Sequence, residues 1–184
     1  MAKYVGIDPS LTSAAVVVYD TETQEYSIAS FSSKADEGTI SSRFERLESL
    51  ALNIVTFITQ DEVIPTLVGI EGPAFSSNTG KAWDRAGLWW FIVQSLLNLG
   101  IPLVEIPPTT RAKYATGSGA AGKDTVLLEV ARNYDAEVRT NDEADALVIC
   151  AFVARLDNNP FDGDLPKNKL ESITKLKKDP KWQK

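Results

Sequence analysis

Hydrophobic and polar positions alternate and cluster along this chain in a way that predicts a mixed α/β fold. Tyr4–Ile7 and Ala14–Tyr19 are β-branched and apolar. The turn-forming run Asp8-Pro9-Ser10-Leu11-Thr12-Ser13 separates them, so they read as two strands joined by a tight turn. A third strand is expected over Glu25–Ser30, after Asp20-Thr21-Glu22-Thr23. From Ile40 to Thr59 the apolar residues Phe44, Leu47, Leu50, Ala51, Ile54, Val55 and Ile58 recur at helical spacing. Thr66–Ile70 is a short apolar strand that ends on Glu71-Gly72-Pro73.

A polar loop around Phe75 leads into a helix over Lys81–Asn98 that is apolar on most of its circumference. Pro102–Ile106 supplies a fifth strand, broken by Pro107-Pro108. Short and longer helices are expected over Thr110–Tyr114, Lys123–Asn133 and Asp142–Arg155. Thr140-Asn141-Asp142-Glu143 opens the last of these with a capping-box pattern. Beyond Leu156 no periodicity is apparent. A β-meander followed by βαβ crossovers implies a five-stranded mixed sheet, three strands antiparallel and then two parallel, flanked by helices. The expected division is a single domain over 1–156 and a lysine-rich tail over 157–184.

Composition narrows the chemistry. The 184 residues include no histidine and one cysteine. Ser-His-Asp and Cys-His catalysis and the usual zinc sites are therefore excluded, and carboxylates remain, which suit hard cations such as Mg²⁺ or Mn²⁺. The N-terminal residues run straight into a strand with no signal-like apolar region, and Cys150 lies in an apolar stretch. Both point to a reducing, cytoplasmic setting. Net charge is −6, yet Lys167–Lys184 holds seven lysines against Glu171 and Asp179, leaving −11 on the preceding part. An acidic body with a basic tail suits a nucleic-acid partner if bound cations neutralise a carboxylate cluster; a merely solvated terminus explains the tail equally well.

Four carboxylates stand out. Asp8 sits where a buried strand meets a turn, and Glu71 directly follows an apolar run, where an unpaired charge is costly. If the first and fourth strands are parallel neighbours, both residues emerge at the strand ends where α/β sheets hold their ligands. Asp142 and Asp145 are three apart on one helical face. Favourable placement near the helix dipole accounts for Asp142 but poorly for Asp145, which is followed at once by Ala146-Leu147-Val148-Ile149. Four such charges meeting would repel strongly unless cations sat between them. Two Mg²⁺ ions about 4 Å apart, bridged by Asp8, would relieve that repulsion, one activating water and the other stabilising a leaving 3′ oxygen.

These residues carry a resemblance. Gly6-Ile7-Asp8-Pro9-Ser10, Ile70-Glu71-Gly72-Pro73 and Asn141-Asp142-Glu143-Ala144-Asp145-Ala146-Leu147 resemble motifs of the RuvC family of Holliday junction resolvases. The stretch from Pro107 to Gly119, with Lys123 after it, is similar to the bacteriophage branch of that family. The likeness spans about Tyr4 to Ala154. It implies a ribonuclease H-like fold, a homodimer, and Mg²⁺- or Mn²⁺-dependent cutting of branched DNA with two ions per site. Carried over by motif, Asp8, Glu71, Asp142 and Asp145 become metal ligands and Lys123 a basic residue near the scissile phosphate. Lys113 or Arg111 becomes a further phosphate contact, and Phe75 an aromatic that can wedge against bases. The apolar surplus on the 81–98 helix suits a two-fold interface, although core packing accounts for much of it. A nuclease of broader taste for flaps and forks, and a non-catalytic DNA-binding module of this fold, remain open alternatives. An actin-like sugar kinase or ATPase lacks support, because the second Gly-rich phosphate motif and the adenosine motif are missing.

Overall fold

The computed structural model describes residues 2–34, 38–61, 63–73 and 81–178. Strands β1 (Lys3–Asp8), β2 (Ala14–Asp20) and β3 (Glu25–Phe31) form the expected antiparallel meander. Helix α1 (Ile40–Thr59) then carries the chain to β4 (Leu67–Glu71), which pairs with β1 in parallel. Helix α2 (Ala82–Asn98) leads to β5 (Leu103–Ile106), parallel to β4. The sheet order is β3-β2-β1-β4-β5. Helices α3 (Pro108–Thr116), α4 (Lys123–Asn133) and α5 (Asn141–Leu156) follow, and α6 (Lys167–Lys177) comes last.

Period-two alternation divides the sheet between two cores. Val5, Ile7, Val16, Val18, Val68 and Ile70 face α1 and α2, meeting Leu50, Ile54, Leu88 and Ile92. Tyr4, Val17, Leu67 and Ile106 face the other way, against Leu147, Cys150 and Phe152 of α5. Each buried aliphatic side chain of this kind contributes about 1.5–3 kcal/mol. Helix α5 is buried around almost its whole circumference, which explains its lack of an amphipathic stripe.

Two glycines set how closely α5 lies on the sheet. A Cβ at Gly6 would collide with the backbone carbonyl of Ala146 and the amide nitrogen of Cys150. One at Gly69 would meet Ile149 Cγ2 at 2.6 Å. Only bare backbone on β1 and β4 admits the helix this near. Thr140 caps α5, its hydroxyl accepting from the Glu143 amide at 3.1 Å. Glu143 in turn accepts from the Arg139 amide at 2.7 Å and from Ser30 Oγ at 2.8 Å. That pins the first turn of α5 to the edge of the meander.

The C-terminal segment departs from expectation. Within it α6 is a helix packed on α3, with Leu170, Ile173 and Leu176 at three-residue spacing and Ile173 buried. Lysines that flank these apolar positions (Lys167, Lys169, Lys175 and Lys177) hide the stripe from a reading of the sequence. Asp162, with a buried side chain, accepts from Arg155 Nε at 3.2 Å and from Tyr134 Oη at 3.3 Å, and also pairs with Tyr114. This network ties the segment to α3, α4 and α5. Among the described residues, no helix is long and apolar enough to cross a membrane.

Candidate active site

Parallel pairing of β1 and β4 puts Ile7 opposite Ile70, so Asp8 and Glu71 leave the sheet side by side at its carboxyl edge. The close seating of α5 on Gly6 and Gly69 brings that helix's first turn to the same edge. Asp8, Asp142 and Asp145 there each present a carboxylate oxygen, all within 4.8 Å of one another. Glu71 completes the group from the adjacent strand, near enough for its charge to disfavour ionisation of Asp8. Trp89 of α2 fixes the end of β4, its indole Nε1 donating to the Glu71 carbonyl at 3.0 Å. A cleft of about 570 Å³ opens over the cluster, bordered by Ser10, Pro73, Arg85, Trp89 and Lys123.

Two cations stand among these carboxylates. Arg111 is only 6% exposed. Its Nε and Nη2 both donate to Glu71 Oε1, at 3.1 and 2.9 Å, and its Nη1 pairs with Asp145 Oδ1. Lys123, 54% exposed in its side chain, donates to Asp142 Oδ1 at 2.8 Å and lies 3.6 Å from Asp145 Oδ2. If all are ionised, four carboxylates against two cations leave two negative charges. Burial raises the carboxyl pKa values first, and the crowding of like charges adds to the rise at Asp8. Burial, then the neighbouring Glu71 and Asp145, hold the Asp8 carboxyl well above the usual carboxylate range. Burial outweighs the pull of Arg111 and Lys123 on Asp145, whose pKa is pushed up to about 6. Asp145 Oδ2 is fully buried and has no hydrogen-bond partner. A buried oxygen without a donor, in an all-carboxylate set with surplus negative charge, fits a hard divalent cation.

The structure thus brings Asp8, Glu71, Asp142, Asp145 and Lys123 together. Arg111 departs from the expected position. The family resemblance makes it, or Lys113, a contact for an outside phosphate, yet it points into the cluster. Residues two apart on a helix face nearly opposite ways, so α3 can turn only one of the two inward. Lys113 is the one facing out, and it pairs with Glu171 of α6 at 2.8 Å. Phe75 lies outside the described residues. On α2, Leu88, Trp89, Ile92, Val93 and Leu96 are buried, whereas Trp83, Trp90 and Leu97 are 85%, 63% and 58% exposed.

Comparison with known proteins decides the family. The chain is 32% identical over 156 residues to the crossover junction endodeoxyribonuclease RuvC of Synechococcus sp. strain CC9311, covering 80% of this chain and 94% of that protein. It belongs to the RuvC family. Another RuvC, from Neorickettsia sennetsu, is 27% identical over 159 residues, covering 83% of this chain and 93% of the relative. Among solved structures, Thermus thermophilus RuvC in complex with Holliday junction substrate matches with a TM-score of 0.65 at 20% identity. That match covers 87% of this chain and 99% of the other. The yeast mitochondrial Holliday junction resolvase Ydc2 gives a TM-score of 0.53 at 12% identity over 79% of this chain and 75% of its own. No family model matches the chain. Membership of the RuvC family and the acidic cluster at the sheet edge agree with a metal-dependent nuclease.

Proposed function

We propose that this RuvC-family chain is a crossover junction endodeoxyribonuclease that resolves four-way DNA junctions by paired, symmetric phosphodiester hydrolysis. One observation carries the reading: Asp8, Asp142 and Asp145 converge within 4.8 Å, with Glu71 beside Asp8 at the same sheet edge, in a chain whose relatives are such endonucleases. Asp8, Glu71, Asp142 and Asp145 would hold Mg²⁺ or Mn²⁺, two ions per site. Cations bound there supply Lewis-acid polarisation of the scissile phosphate and a more acidic attacking water. Hydrolysis forms a bond from the water oxygen to phosphorus and breaks the one to the 3′ oxygen.

The chain's own residues have separate tasks. Asp8 stands between Glu71 on the neighbouring strand and the α5 aspartates, so it links both halves of the ligand set. Lys123 sits half-exposed at the cleft mouth, where its ammonium can leave Asp142 for a phosphate oxygen and offset the charge that develops there. Lys113, in a surface ion pair, serves as a phosphate contact farther out, and Phe75 as a base-stacking residue. Residues 1–156 form the nuclease domain, and 157–184 a lysine-rich C-terminal extension. Exposed Trp83, Trp90 and Leu97 on α2 support a two-fold homodimer, which gives a four-way junction the two equivalent sites that paired cutting requires. The buried lone thiol of Cys150 suits a cytoplasmic setting.

The test is cleavage of a labelled immobile four-way junction with Mg²⁺ or Mn²⁺, beside linear duplex and flap controls. Symmetric nicks at the junction that vanish in Glu71→Gln are the expected result. Equal cutting of flaps and forks would make it a general debranching nuclease. Junction binding without cleavage in either metal would reduce it to a DNA-binding module.

A further inference from the structure

An arginine in the middle of a metal-ligand set is unusual chemistry. Its guanidinium is always charged, and nothing about a ligand cluster requires a fixed cation inside it. Arg111 nevertheless directs three donors at two of the four carboxylates, which arrive from different elements, Glu71 from β4 and Asp145 from α5. It spans them from behind: Glu71 Oε1 and Asp145 Oδ1 are taken, whereas Asp145 Oδ2 keeps no hydrogen bond. Its backbone is set by the tight first turn of α3, where Pro107 and Pro108 start the helix and the Arg111 amide donates to the Pro107 carbonyl at 3.0 Å. Prolines at this start restrict the chain, so the guanidinium is delivered to one place rather than sampling the cleft.

We propose that Arg111 is a built-in counter-ion of the carboxylate cluster, which holds Glu71 and Asp145 in register without metal and competes with divalent cations for them. The inference rests on the metal-binding reading given above. Without a cation, Glu71 and Asp145 would repel each other and Asp8 across a buried edge; the guanidinium supplies one positive charge and a planar fork that fixes both. The same charge, close to the ion positions, opposes every incoming Mg²⁺ or Mn²⁺. Metal capture therefore needs the Arg111 bonds to loosen.

Mn²⁺ binding measured by electron paramagnetic resonance tests this, with Arg111→Met, Arg111→Lys and Glu71→Gln beside wild type. Removing the charge in Arg111→Met is expected to tighten Mn²⁺ binding about tenfold, or about 1.4 kcal/mol, and to lower the melting temperature in EDTA. Arg111→Lys, which keeps the charge, should stay within threefold of wild type. Unchanged or weaker binding by Arg111→Met overturns the proposal. Absence of Mn²⁺ binding in wild type and Arg111→Met alike would instead remove the metal reading itself. Arg111→Met removes the buried partner shared by Glu71 and Asp145 and can fail to fold, so the native protein supplies a second measurement. The Arg111 Nε–H signal in ¹⁵N NMR, identified by its loss in Arg111→Lys, should shift and exchange faster with water when Mg²⁺ is added. A signal indifferent to saturating Mg²⁺ refutes competition.

Discussion

Replacing Asp145 by Asn should stabilise the metal-free protein while destroying its capacity for metal. Asp145 is wholly buried, and its pKa is pushed up to about 6 from an ordinary 3.8, chiefly by burial. At roughly 1.36 kcal/mol per tenfold change in acidity, ionising it at neutral pH costs the folded state about 3 kcal/mol. Between about pH 4 and 6 the folded form binds the extra proton, so stability falls as pH rises through that window. Asparagine removes the charge, but it also weakens the Arg111 pair and brings an amide near Lys123. These losses leave a net gain of about 1–2 kcal/mol, or a rise of roughly 2–8 °C in melting temperature for a chain of this size.

Thermal unfolding followed by circular dichroism in EDTA from pH 4.5 to 8 measures it. The variant should lead wild type at pH 7.5, and the gap should close towards pH 4.5. Saturating Mg²⁺ should raise the melting temperature of wild type and leave the variant unmoved. A variant less stable than wild type by 1 kcal/mol or more at pH 7.5, or a gap that ignores pH, would show that Arg111 and Lys123 already satisfy the aspartate.

Lys123→Met should lower junction cleavage by about 10²–10³-fold with Mn²⁺ binding no weaker than wild type, because it removes a phosphate-facing cation and no ligand; single-turnover kinetics and metal titration read the two effects. Gly6→Ala should destabilise by about 3 kcal/mol or abolish folding, since its Cβ meets the backbone of α5 rather than a yielding side chain; yield and urea unfolding report it.

Much of this architecture is legible in the residues. Short β-branched and apolar runs locate the five strands, and the bounds of α1 and α4 coincide with the segments expected to be helical. The edge position of Asp8 and Glu71 follows once Tyr4–Ile7 and Leu67–Ile70 are taken as parallel neighbours, and Asp145 betrays itself as a charge embedded in an apolar run. Arg111 is different. A cation on a short helix beside a Gly-rich loop reads as a surface group, and only the packing of α3 against α4, α5 and α6 turns it inward. The signal available was the pair of prolines before it, which begin the helix at Pro108 and so set which positions face the core. Helix α6 is obscured for a related reason: its apolar residues are spaced correctly but outnumbered by lysines, and their partner surface on α3 exists only in three dimensions.

The central claim, that paired carboxylate sites cut a four-way junction in concert, is most directly tested on a supercoiled plasmid carrying an extruded cruciform, incubated with Mg²⁺. Two symmetric incisions within one bound complex yield linear plasmid from the outset. Linear product as the first species formed is the predicted result. Accumulation of nicked circles alone, or plasmid left intact while bound, would contradict it.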